Sequence, residues 1–496
     1  MPLRPIGALA LVSVLLATPG CSSLYHYPVN PPLRQVAPSE PRGPSASQRA
    51  DDLLLIVAFS GGGTRAAALA YGVLETLRAT RIPGPQGPHA LSDEIDLISA
   101  VSGGAFPAGY FGLRGDAFFS DFEARFLRRN VTRGLLLRLL FPLNWLRLFS
   151  PRFGTSDLAA EYYDGLLFDG ATFGDLWQGR GPDVHIQATD VVLGTGFSFS
   201  RFQFEEICSD LARFPMARAV AASAAFPVLF SPVTLRNRAG TCGWQAPAWM
   251  REALRARDQT SQRFHIASHA TAYARERSLR FIHLLDGGLS DNLGLREPME
   301  MLLGSGSFPD TIAGNPTKPL RRVALVLVNA ETRPDLGFGV LDVAPSLASI
   351  VDAVSSTLIN RYNYETVELW RRSTRSFVRA ARARGRSPVR WYTIQVNFEA
   401  HPDPEERRYL SALPTSLHLG DEAIDRLRGA AVTILEQNAD FRALVRDLRA
   451  GEAQPTRGAD PGAVSGRARP QPARSPEPVR SGRIAGHTAA AARRSH

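Results

Sequence analysis

The segment from Leu53 to Arg65, LLLIVAFSGGGTR, limits the fold of this chain more than any other. It starts with an unbroken apolar run, which is typical of a strand that is covered on both faces. The three glycines that follow allow a tight turn and a close approach of the backbone to a ligand. Apolar residues at helical spacing come next, and they predict a helix from Thr64, its expected N-cap, to about Thr80.

The N–H groups at the start of such a helix create a site for negative charge. The segment alone leaves open whether the bound anion is a phosphate group or the transient oxyanion of a reaction. Gly61–Gly63 lacks the spacing of a dinucleotide-binding fingerprint, and no Gly-Lys-Ser/Thr sequence follows it. A nucleotide-binding function is therefore disfavoured.

Strand and helix patterns alternate along the rest of the chain. Further strands are predicted at 94–100, 184–189, 280–285, 323–328 and 390–396, and helices at 105–113, 215–225 and, as a pair, 421–449. This alternation predicts an α/β fold, a three-layer α/β/α sandwich with a mostly parallel central sheet. The polar, arginine-rich residues 236–279 are expected to form a surface insertion.

Ser102 lies at a predicted junction between strand and helix, within the small-residue sequence SAVSGGA. A nucleophile elbow, a strained turn that exposes a serine hydroxyl above a sheet, needs such small neighbours. Ala100 stands where the usual Gly-x-Ser-x-Gly pattern has its first glycine, and it adds only a methyl group. Ser102 is therefore either a nucleophile or the capping serine of an ordinary turn.

Asp286 follows a predicted strand and precedes two glycines. Active sites of α/β proteins form at the carboxyl ends of strands, although an aspartate before glycine also commonly makes a turn. His401 and His418 come later in the chain, so the order Ser…Asp…His of a catalytic triad also fits. His283 is three residues before Asp286 in the same strand and is expected to face the opposite side.

Taken together, these motifs resemble the signature blocks of the patatin-like phospholipases, in the same order along the chain. The matching segments are GGGTR at 61–65, SGG at 102–104, ATD at 188–190, AASAAFPVLFSP at 221–232, DGGLSDN at 286–292 and LPTSL at 413–417. The resemblance covers about residues 51–445. It implies a lipid acyl hydrolase that uses no cofactor or metal and carries a Ser–Asp dyad on the predicted α/β sandwich.

In that dyad, Ser102 would attack a lipid ester and Asp286 would accept its proton. The donors implied for the oxyanion hole are the backbone N–H groups of Gly61, Gly62, Gly63 and Gly103. Arg65 would either hold the glycine turn or meet a lipid phosphate. Because a free carboxylate is a weak base for serine, Asp286 is expected to be partly desolvated. A Ser–His–Asp esterase and a non-catalytic lipid-binding envelope protein remain as alternatives.

The N-terminal sequence has the features of an export signal. Arg4 precedes an apolar stretch at 6–17, too short for an ordinary membrane span, which ends in Thr-Pro-Gly-Cys. Cys21 resembles the acylated cysteine of a bacterial lipobox, with Thr18 in place of the usual leucine; an incidental cysteine behind a cleaved signal is the alternative. The expected organisation is a signal peptide at 1–20, a Pro/Ser-rich linker at 21–50, the hydrolase domain at 51–449 and a disordered basic tail at 450–496. The expected location is the cell envelope, as a lipoprotein facing the periplasm or outer membrane.

The net charge of +10 does not by itself indicate a nucleic-acid partner. Residues 451–496 contain eight arginines and three acidic residues, so this tail carries +5 of the total. Cys208 and Cys242 are expected to form a disulfide, since an exported protein can pair them; two buried free thiols are the alternative.

Residues 118–150 interleave arginines with leucine, phenylalanine and tryptophan. The pattern fits two structures equally well. One is an amphipathic surface that lies on an anionic membrane or covers an apolar site, and the other is a pair of core helices with arginines towards solvent.

Overall fold

The computed structural model describes residues 26–27, 29–36, 52–84, 87–179, 181–276, 278–305, 320–332, 342, 347–383 and 389–451. The predicted signal peptide, Cys21 and almost all of the predicted basic tail lie outside these residues. Among the described residues, no helix combines the length and the apolar composition that a bilayer crossing needs.

The strands are short and are listed here in chain order. They are β1 (Leu53–Phe59), β2 (Arg81–Ile82), β3 (His89–Ala90), β4 (Ile95–Val101), β5 (Asp183–Asp190), β6 (Thr195–Phe199), β7 (Val233–Arg236), β8 (Phe281–Asp286), β9 (Arg322–Asn329) and β10 (Arg390–Asn397).

The α-helices vary widely in length. They are α1 (Gly63–Ala79), α2 (Ala105–Arg114), α3 (Phe118–Phe122), α4 (Val131–Leu140), α5 (Pro142–Leu148), α6 (Thr155–Tyr163), α7 (Phe173–Gln178), α8 (Arg201–Glu206), α9 (Met216–Ser223), α10 (Ala248–Ala256), α11 (Gln262–Ala270), α12 (Ala272–Arg275), α13 (Gly288–Asp291), α14 (Arg296–Ser305), α15 (Leu347–Ala383), α16 (Pro404–Ser411), α17 (Asp421–Gln437) and α18 (Ala439–Gly451).

The central sheet has the strand order β10-β9-β1-β4-β5-β8-β7, and β6 also pairs with β5. The strands from β10 to β5 run parallel, whereas β6 and β8 pair with β5 in the antiparallel direction, as does β7 with β8. The prediction of a mostly parallel sheet is confirmed. The antiparallel direction of β8 was not predicted, and it matters for the site because β8 ends at Asp286.

Both β4 and β8 lie along one edge of β5. Gln187 of β5 pairs with Val101 of β4 on one side and with β6 on the other. The next residue, Ala188, still pairs with β6 at the second edge of β5. At the first edge, where Gln187 pairs with β4, Ala188 pairs with Asp286 of β8. The ends of β4 and β8 therefore meet at this edge, directly before Ser102.

Helices cover both faces of the sheet, as expected for three layers. Alternate residues of β1 point to opposite sides: Leu55 and Val57 belong to one buried apolar cluster, which includes α1, α2, α9 and α17, while Leu54 and Ile56 belong to the other. The second cluster is completed by residues of α14 and by Trp370 of α15. β1 is buried along its whole length, which explains its unbroken apolar sequence.

The main strands predicted from sequence are confirmed to within one residue at each end, and the predicted helices to within two. The prediction did not include the hairpin of β2 and β3, the antiparallel strands β6 and β7, or α15. Residues 236–279 differ from a simple surface insertion, because they form α10, α11 and α12 and bury Met250, Ile266 and Tyr273. The hydroxyl of Tyr273 donates to Asp190 of β5 at 2.8 Å.

Part of the predicted linker packs against the domain instead of extending freely. The N–H groups of Leu33 and Val36 donate to the carbonyls of Cys208 and Cys242, at 2.9 and 3.2 Å. The side chain of Asn30 is buried and donates to the carbonyl of Arg236 at 3.0 Å. Cys208 and Cys242 form a disulfide with their Cα atoms 5.5 Å apart, so this segment lies along the bridged loop.

Candidate active site

Ser102 occupies a sharp turn between β4 and α2. Its φ angle is +49°, in the left-handed region that costs a non-glycine residue about 1–2 kcal/mol. The turn is held by Ser223 of α9, whose Oγ accepts a hydrogen bond from the Ser102 N–H at 2.7 Å and donates one to the Gln187 carbonyl at 2.6 Å. The Ser102 side chain remains partly exposed. This is the geometry of a nucleophile elbow.

Asp286 lies next to Ser102 and is fixed by hydrogen bonds on all sides. The hydroxyl of Ser102 donates to Asp286 Oδ2 at 2.8 Å, and the N–H of Gly288 donates to Oδ1 at 2.8 Å. The Asp286 N–H donates to the carbonyl of Ala225 at 2.9 Å, and its own carbonyl accepts the hydroxyl of Thr189 at 2.8 Å. The two residues that sequence motifs had singled out are thus in direct contact.

Burial raises the pKa of Asp286 to about 6. The side chain is only 7% exposed, so its charged form loses most of its hydration. The hydrogen bonds from Gly288 and Ser102 favour the carboxylate and oppose this effect, but burial dominates. The carboxylate therefore has a pKa closer to that of a useful general base at neutral pH.

The glycine turn lies against the Ser102 turn. Gly62 and Gly63 have φ angles of +136° and +60°, which favour glycine. A Cβ atom on Gly103 would overlap the backbone of Gly63, and one on Gly61 would lie 3.3 Å from the Cβ of Ser102. The absence of side chains at these positions allows the two turns to touch.

The hydrogen bonds of this turn correct the expectation for Gly61. Its N–H donates to the carbonyl of Asn292 at 3.0 Å, so it is already occupied. Among the described residues, no acceptor is found for the N–H groups of Gly62 and Gly63. Gly62, Gly63 and Gly103 therefore remain from the predicted set of donors.

The expectation that Thr64 caps α1 is wrong. The helix begins one residue earlier, at Gly63, with Gly62 in the cap position, because only glycine readily adopts the backbone angles found there. The Thr64 hydroxyl is buried and has no hydrogen-bond partner among the described residues. Its N–H donates to the carbonyl of Ser416 at 2.8 Å.

Arg65 holds the glycine turn against two distant segments. It is buried, and its guanidinium donates to the carbonyl of Ala330 at 2.9 Å, the carbonyl of Leu413 at 2.6 Å and the hydroxyl of Thr415 at 3.0 Å. Burial lowers its pKa to about 10, so the group is still charged at neutral pH. Of the two roles considered for Arg65, these contacts favour support of the turn over binding of a lipid phosphate.

The histidines that a catalytic triad would need do not contact the pair. His283 is hydrogen-bonded to Thr234, at 3.0 Å, on the other side of β8. His401 accepts from the N–H of Asp403 at 3.3 Å, and His418 is exposed. Among the described residues, no histidine is hydrogen-bonded to either Ser102 or Asp286.

Sequence analysis missed the roles of Ser223, Asn292 and the segment 413–416. All three lie inside motifs that had been noted, but the motifs gave no indication of which backbone groups they contact. Their partners are 121 residues away in the case of Ser223 and about 350 in the case of Thr415. Contacts of such range depend on the assembled fold.

The arginine-rich stretch at 118–150 divides into two parts. Phe118, Phe122 and Phe126 are buried and stack in the core, whereas most apolar side chains of α4 and α5 are exposed. The expectation of core helices is thus met only by the first part.

A hydroxyl on a strained turn, a buried carboxylate and unoccupied backbone donors are the groups that nucleophilic acyl transfer requires. Residues 57–299 match the family model described as Patatin-like phospholipase. No curated protein sequence matches the chain.

Solved structures that resemble this one in backbone structure include human GIVD cytosolic phospholipase A2, at 12% sequence identity and a TM-score of 0.42. The match covers 80% of this chain and 62% of the human one. VipD from Legionella pneumophila matches at 11% identity and a TM-score of 0.25, over 82% of this chain and 70% of its own. The chain thus spans about three fifths of the length of the human enzyme.

Proposed function

Because residues 57–299 place the chain in the patatin-like phospholipase family, we propose that it is a lipid acyl hydrolase of the phospholipase A or lysophospholipase type. The observation that carries this proposal is the 2.8 Å hydrogen bond from the Ser102 hydroxyl to Asp286 at the mouth of a glycine turn. In this proposal Ser102 is the nucleophile and Asp286 is the proton acceptor.

The reaction proceeds in two halves. Ser102 Oγ attacks the carbonyl carbon of a lipid ester while its proton passes to Asp286 Oδ2. The tetrahedral intermediate collapses, the alcohol leaves with the proton from Asp286, and the acyl group stays on Ser102 as an ester. A water molecule then gives a proton to Asp286 and attacks this ester. Ser102 Oγ leaves the second tetrahedral intermediate and takes this proton from Asp286, which releases the fatty acid and restores both the hydroxyl and the carboxylate.

The oxyanion of each tetrahedral intermediate is stabilised by backbone N–H groups of Gly62, Gly63 and Gly103. Gly103 belongs to the Ser102 turn, and Gly62 and Gly63 belong to the adjoining glycine turn, which is held by the contacts of Arg65 with Ala330 and of Thr64 with Ser416. Preorganised donors of this kind are effective because they need no reorganisation during the reaction, and loss of one typically costs about 3–4 kcal/mol of barrier.

The environment of Asp286 suits the proposed base. With an ordinary pKa near 4 the carboxylate would be a weak acceptor for the proton of serine. A pKa of about 6 raises its proton affinity, while it is still ionised at neutral pH. The hydrogen bond from Gly288 keeps the second oxygen in place, so Oδ2 is the atom presented to Ser102.

The test is labelling with a fluorophosphonate probe together with hydrolysis of a soluble acyl ester. Wild type should be labelled and active, and Ser102→Ala should lose both. Asp286→Asn should lose at least about 1,000-fold in hydrolysis. Ser120→Ala is a matched control, because Ser120 is exposed and its hydroxyl donates to the Ala117 carbonyl, and it should behave as wild type.

Two results would contradict this mechanism. Labelling that persists in Ser102→Ala would show that another residue is the nucleophile. Absence of labelling in the wild type would favour a non-catalytic lipid-binding protein. Loss of hydrolysis on replacing His401 or His418 by alanine would favour the Ser–His–Asp alternative.

We also propose that Cys21 is acylated and that the protein is exported to the cell envelope. The support is the sequence alone, an export signal that ends in cysteine. Metabolic labelling with a fatty acid should mark the wild-type protein and not Cys21→Ser; equal labelling of both would overturn the proposal.

A further inference from the structure

The pair of helices α4 and α5, with the residue that follows them, exposes an unusual number of large apolar side chains. Of the eighteen large apolar side chains that are exposed among the described residues, nine fall between Leu136 and Phe149. They are Leu136, Leu137, Leu139, Leu140, Phe141, Leu143, Trp145, Leu146 and Phe149, and Phe149 is 83% exposed. Scattered apolar residues are normal on a protein surface, but a cluster of this kind marks an interaction site.

The cluster is surrounded by positive charge. Residues 124–156 contain seven arginines and no acidic residue. Arg147 is paired with Glu161 at 2.9 Å, whereas Arg133 and Arg152 are exposed and have no acidic partner among the described residues. Apolar side chains combined with free arginines favour a partner that is apolar inside and negatively charged at its surface.

Polar contacts hold the two helices together and against α6. The indole N–H of Trp145 donates to the carbonyl of Leu139 at 2.8 Å, and the side-chain amide of Asn144 donates to the backbone carbonyl of Arg138 at 2.8 Å. The Arg138 guanidinium stacks 4.0 Å above the ring of Tyr162 in α6. The two hydrogen bonds join α4 to α5, and the contact of Arg138 with Tyr162 joins the pair to α6, while the apolar side chains stay exposed to solvent.

The same helix connects this surface with the candidate active site. Thr155 at the start of α6 donates to the carbonyl of Leu229 at 3.4 Å. Leu229 and Val228 are 67% and 73% exposed, and their loop begins just after Ala225, whose carbonyl accepts the Asp286 N–H. The loop thus adds two apolar side chains between the helix pair and the catalytic carboxylate.

The N-terminal segment reaches the domain beside the helix pair. The N–H of Tyr27 donates to the carbonyl of Arg152 at 2.6 Å, three residues after Phe149. Tyr27 is six positions after Cys21, a stretch of chain that can span at most about 20 Å. A lipid on Cys21 would therefore enter a bilayer close to this surface.

We propose that residues 131–149, with Val228 and Leu229, form a docking surface for an anionic lipid bilayer. The apolar side chains enter the boundary between headgroups and acyl chains, while Arg133 and Arg152 lie at the phosphates. Docking in this way brings the loop next to Asp286 to the membrane, where an ester substrate is available. This proposal depends on the exposed apolar side chains and arginines, and it is independent of the reaction proposed for Ser102 and Asp286.

The experiment uses the chain without residues 1–20 and with Cys21→Ser, so that no acyl anchor contributes. Binding is measured by flotation with vesicles of phosphatidylcholine alone or with 30% phosphatidylglycerol. The variant Leu140→Ser/Leu143→Ser/Phe149→Ser should bind the anionic vesicles about tenfold or more weakly. The control Phe281→Ser/Tyr364→Ser/Val432→Ser replaces exposed apolar residues elsewhere and should bind within about twofold of wild type.

A second pair of variants tests the charge. Arg133→Gln/Arg152→Gln should weaken binding to the anionic vesicles and reduce its dependence on salt, with less effect on neutral vesicles. Arg442→Gln/Arg446→Gln removes the same charge from exposed positions of α18 and should have little effect. Circular dichroism and hydrolysis of a soluble ester check that each variant is folded.

Unchanged vesicle binding by the apolar variant would overturn the proposal. So would a loss of dimers or of a protein partner in that variant without any loss of vesicle binding, because the surface would then bind protein. If vesicle binding follows the predicted pattern but the wild type has no Ser102-dependent hydrolysis, the docking surface stands and the proposed function fails.

Discussion

Ser102 Oγ lies 2.8 Å from Asp286 Oδ2, although the two residues are 184 positions apart and end strands of opposite direction. Val101 pairs with Gln187, and Asp286 pairs with the next residue of the same strand, Ala188. The backbone pairing of three strands therefore sets the distance between hydroxyl and carboxylate. No flexible loop takes part in it.

The raised pKa of Asp286 predicts an acidic limit of activity. The carboxyl must be ionised to accept the Ser102 proton, so kcat/KM for a soluble ester should fall as the pH decreases through about 6. A pH–rate profile measures this. The same decrease at acidic pH should be found in His401→Ala and His418→Ala. A decrease centred near pH 4 would show that Asp286 is not desolvated in the working enzyme.

The same shift predicts that Asp286 destabilises the fold at neutral pH. Below about 4 the carboxyl is protonated in both the folded and the unfolded chain. Between about pH 4 and 6 it ionises more readily in the unfolded chain, so the folded state loses roughly 3 kcal/mol of stability by the time the pH exceeds about 6. Asp286→Asn avoids this cost. Its free energy of unfolding relative to wild type should therefore be greater at pH 8 than at pH 4, as measured by urea denaturation. An equal difference at both values would contradict the burial effect.

Ser223 is predicted to position the nucleophile without touching the substrate. Ser223→Ala removes the acceptor of the Ser102 N–H, so the strained turn is held less well and kcat should fall about tenfold, with KM unchanged. Ser198→Ala is the control, since Ser198 accepts from the side chain of Gln187, whereas Ser223 donates to the Gln187 backbone carbonyl and holds the Ser102 N–H. A rise in KM with constant kcat would assign Ser223 to substrate binding instead.

Glycine is predicted to be required at position 103 because a side chain there would clash with Gly63, and not because of its backbone angles. A Cβ there would overlap the carbonyl of Gly63 and displace the oxyanion donors, so Gly103→Ala should lower kcat by about 100-fold or more. Gly429→Ala is the matched control. It lies within α17 with no atom near its added methyl, and it should raise stability by up to about 1 kcal/mol without changing activity.

The disulfide should contribute strongly to stability. Cys208 and Cys242 are 34 positions apart in the sequence. Closing a loop of that length lowers the entropy of the unfolded chain, which stabilises the folded state by about 4 kcal/mol at 25 °C. Replacing both by serine should lower the melting temperature, and a reductant should do the same to wild type. Cys21→Ser should have no such effect, and a melting temperature insensitive to reductant would contradict the prediction.

The sequence predicted those features that are determined locally. β1 is recognisable because it is buried on both faces, and Ser102 and Asp286 are recognisable because their turns demand small neighbours. The direction of β8 could not be predicted, since the sequence of a short strand does not reveal its partner. The error at Gly61 has the same origin, because its N–H bonds to Asn292, which is remote in sequence.

The stretch 118–150 shows a different limit. Its amphipathic pattern is equally compatible with a buried and an exposed helix pair, and only packing against α6 distinguishes them. The structure buries Phe122, although acidic residues flank it in the sequence, and exposes Phe141, although Leu140 and Pro142 flank it.

The contacts of Arg65 and Thr64 also join the glycine turn to a segment that is synthesised much later. The carbonyl of Leu413, the hydroxyl of Thr415 and the carbonyl of Ser416 complete the support of a turn that was synthesised some 350 residues earlier. A nascent chain that has reached residue 412 already contains both reacting side chains, but it lacks this support. With the proposed function, we therefore expect hydrolytic activity only after nearly the whole domain has been made.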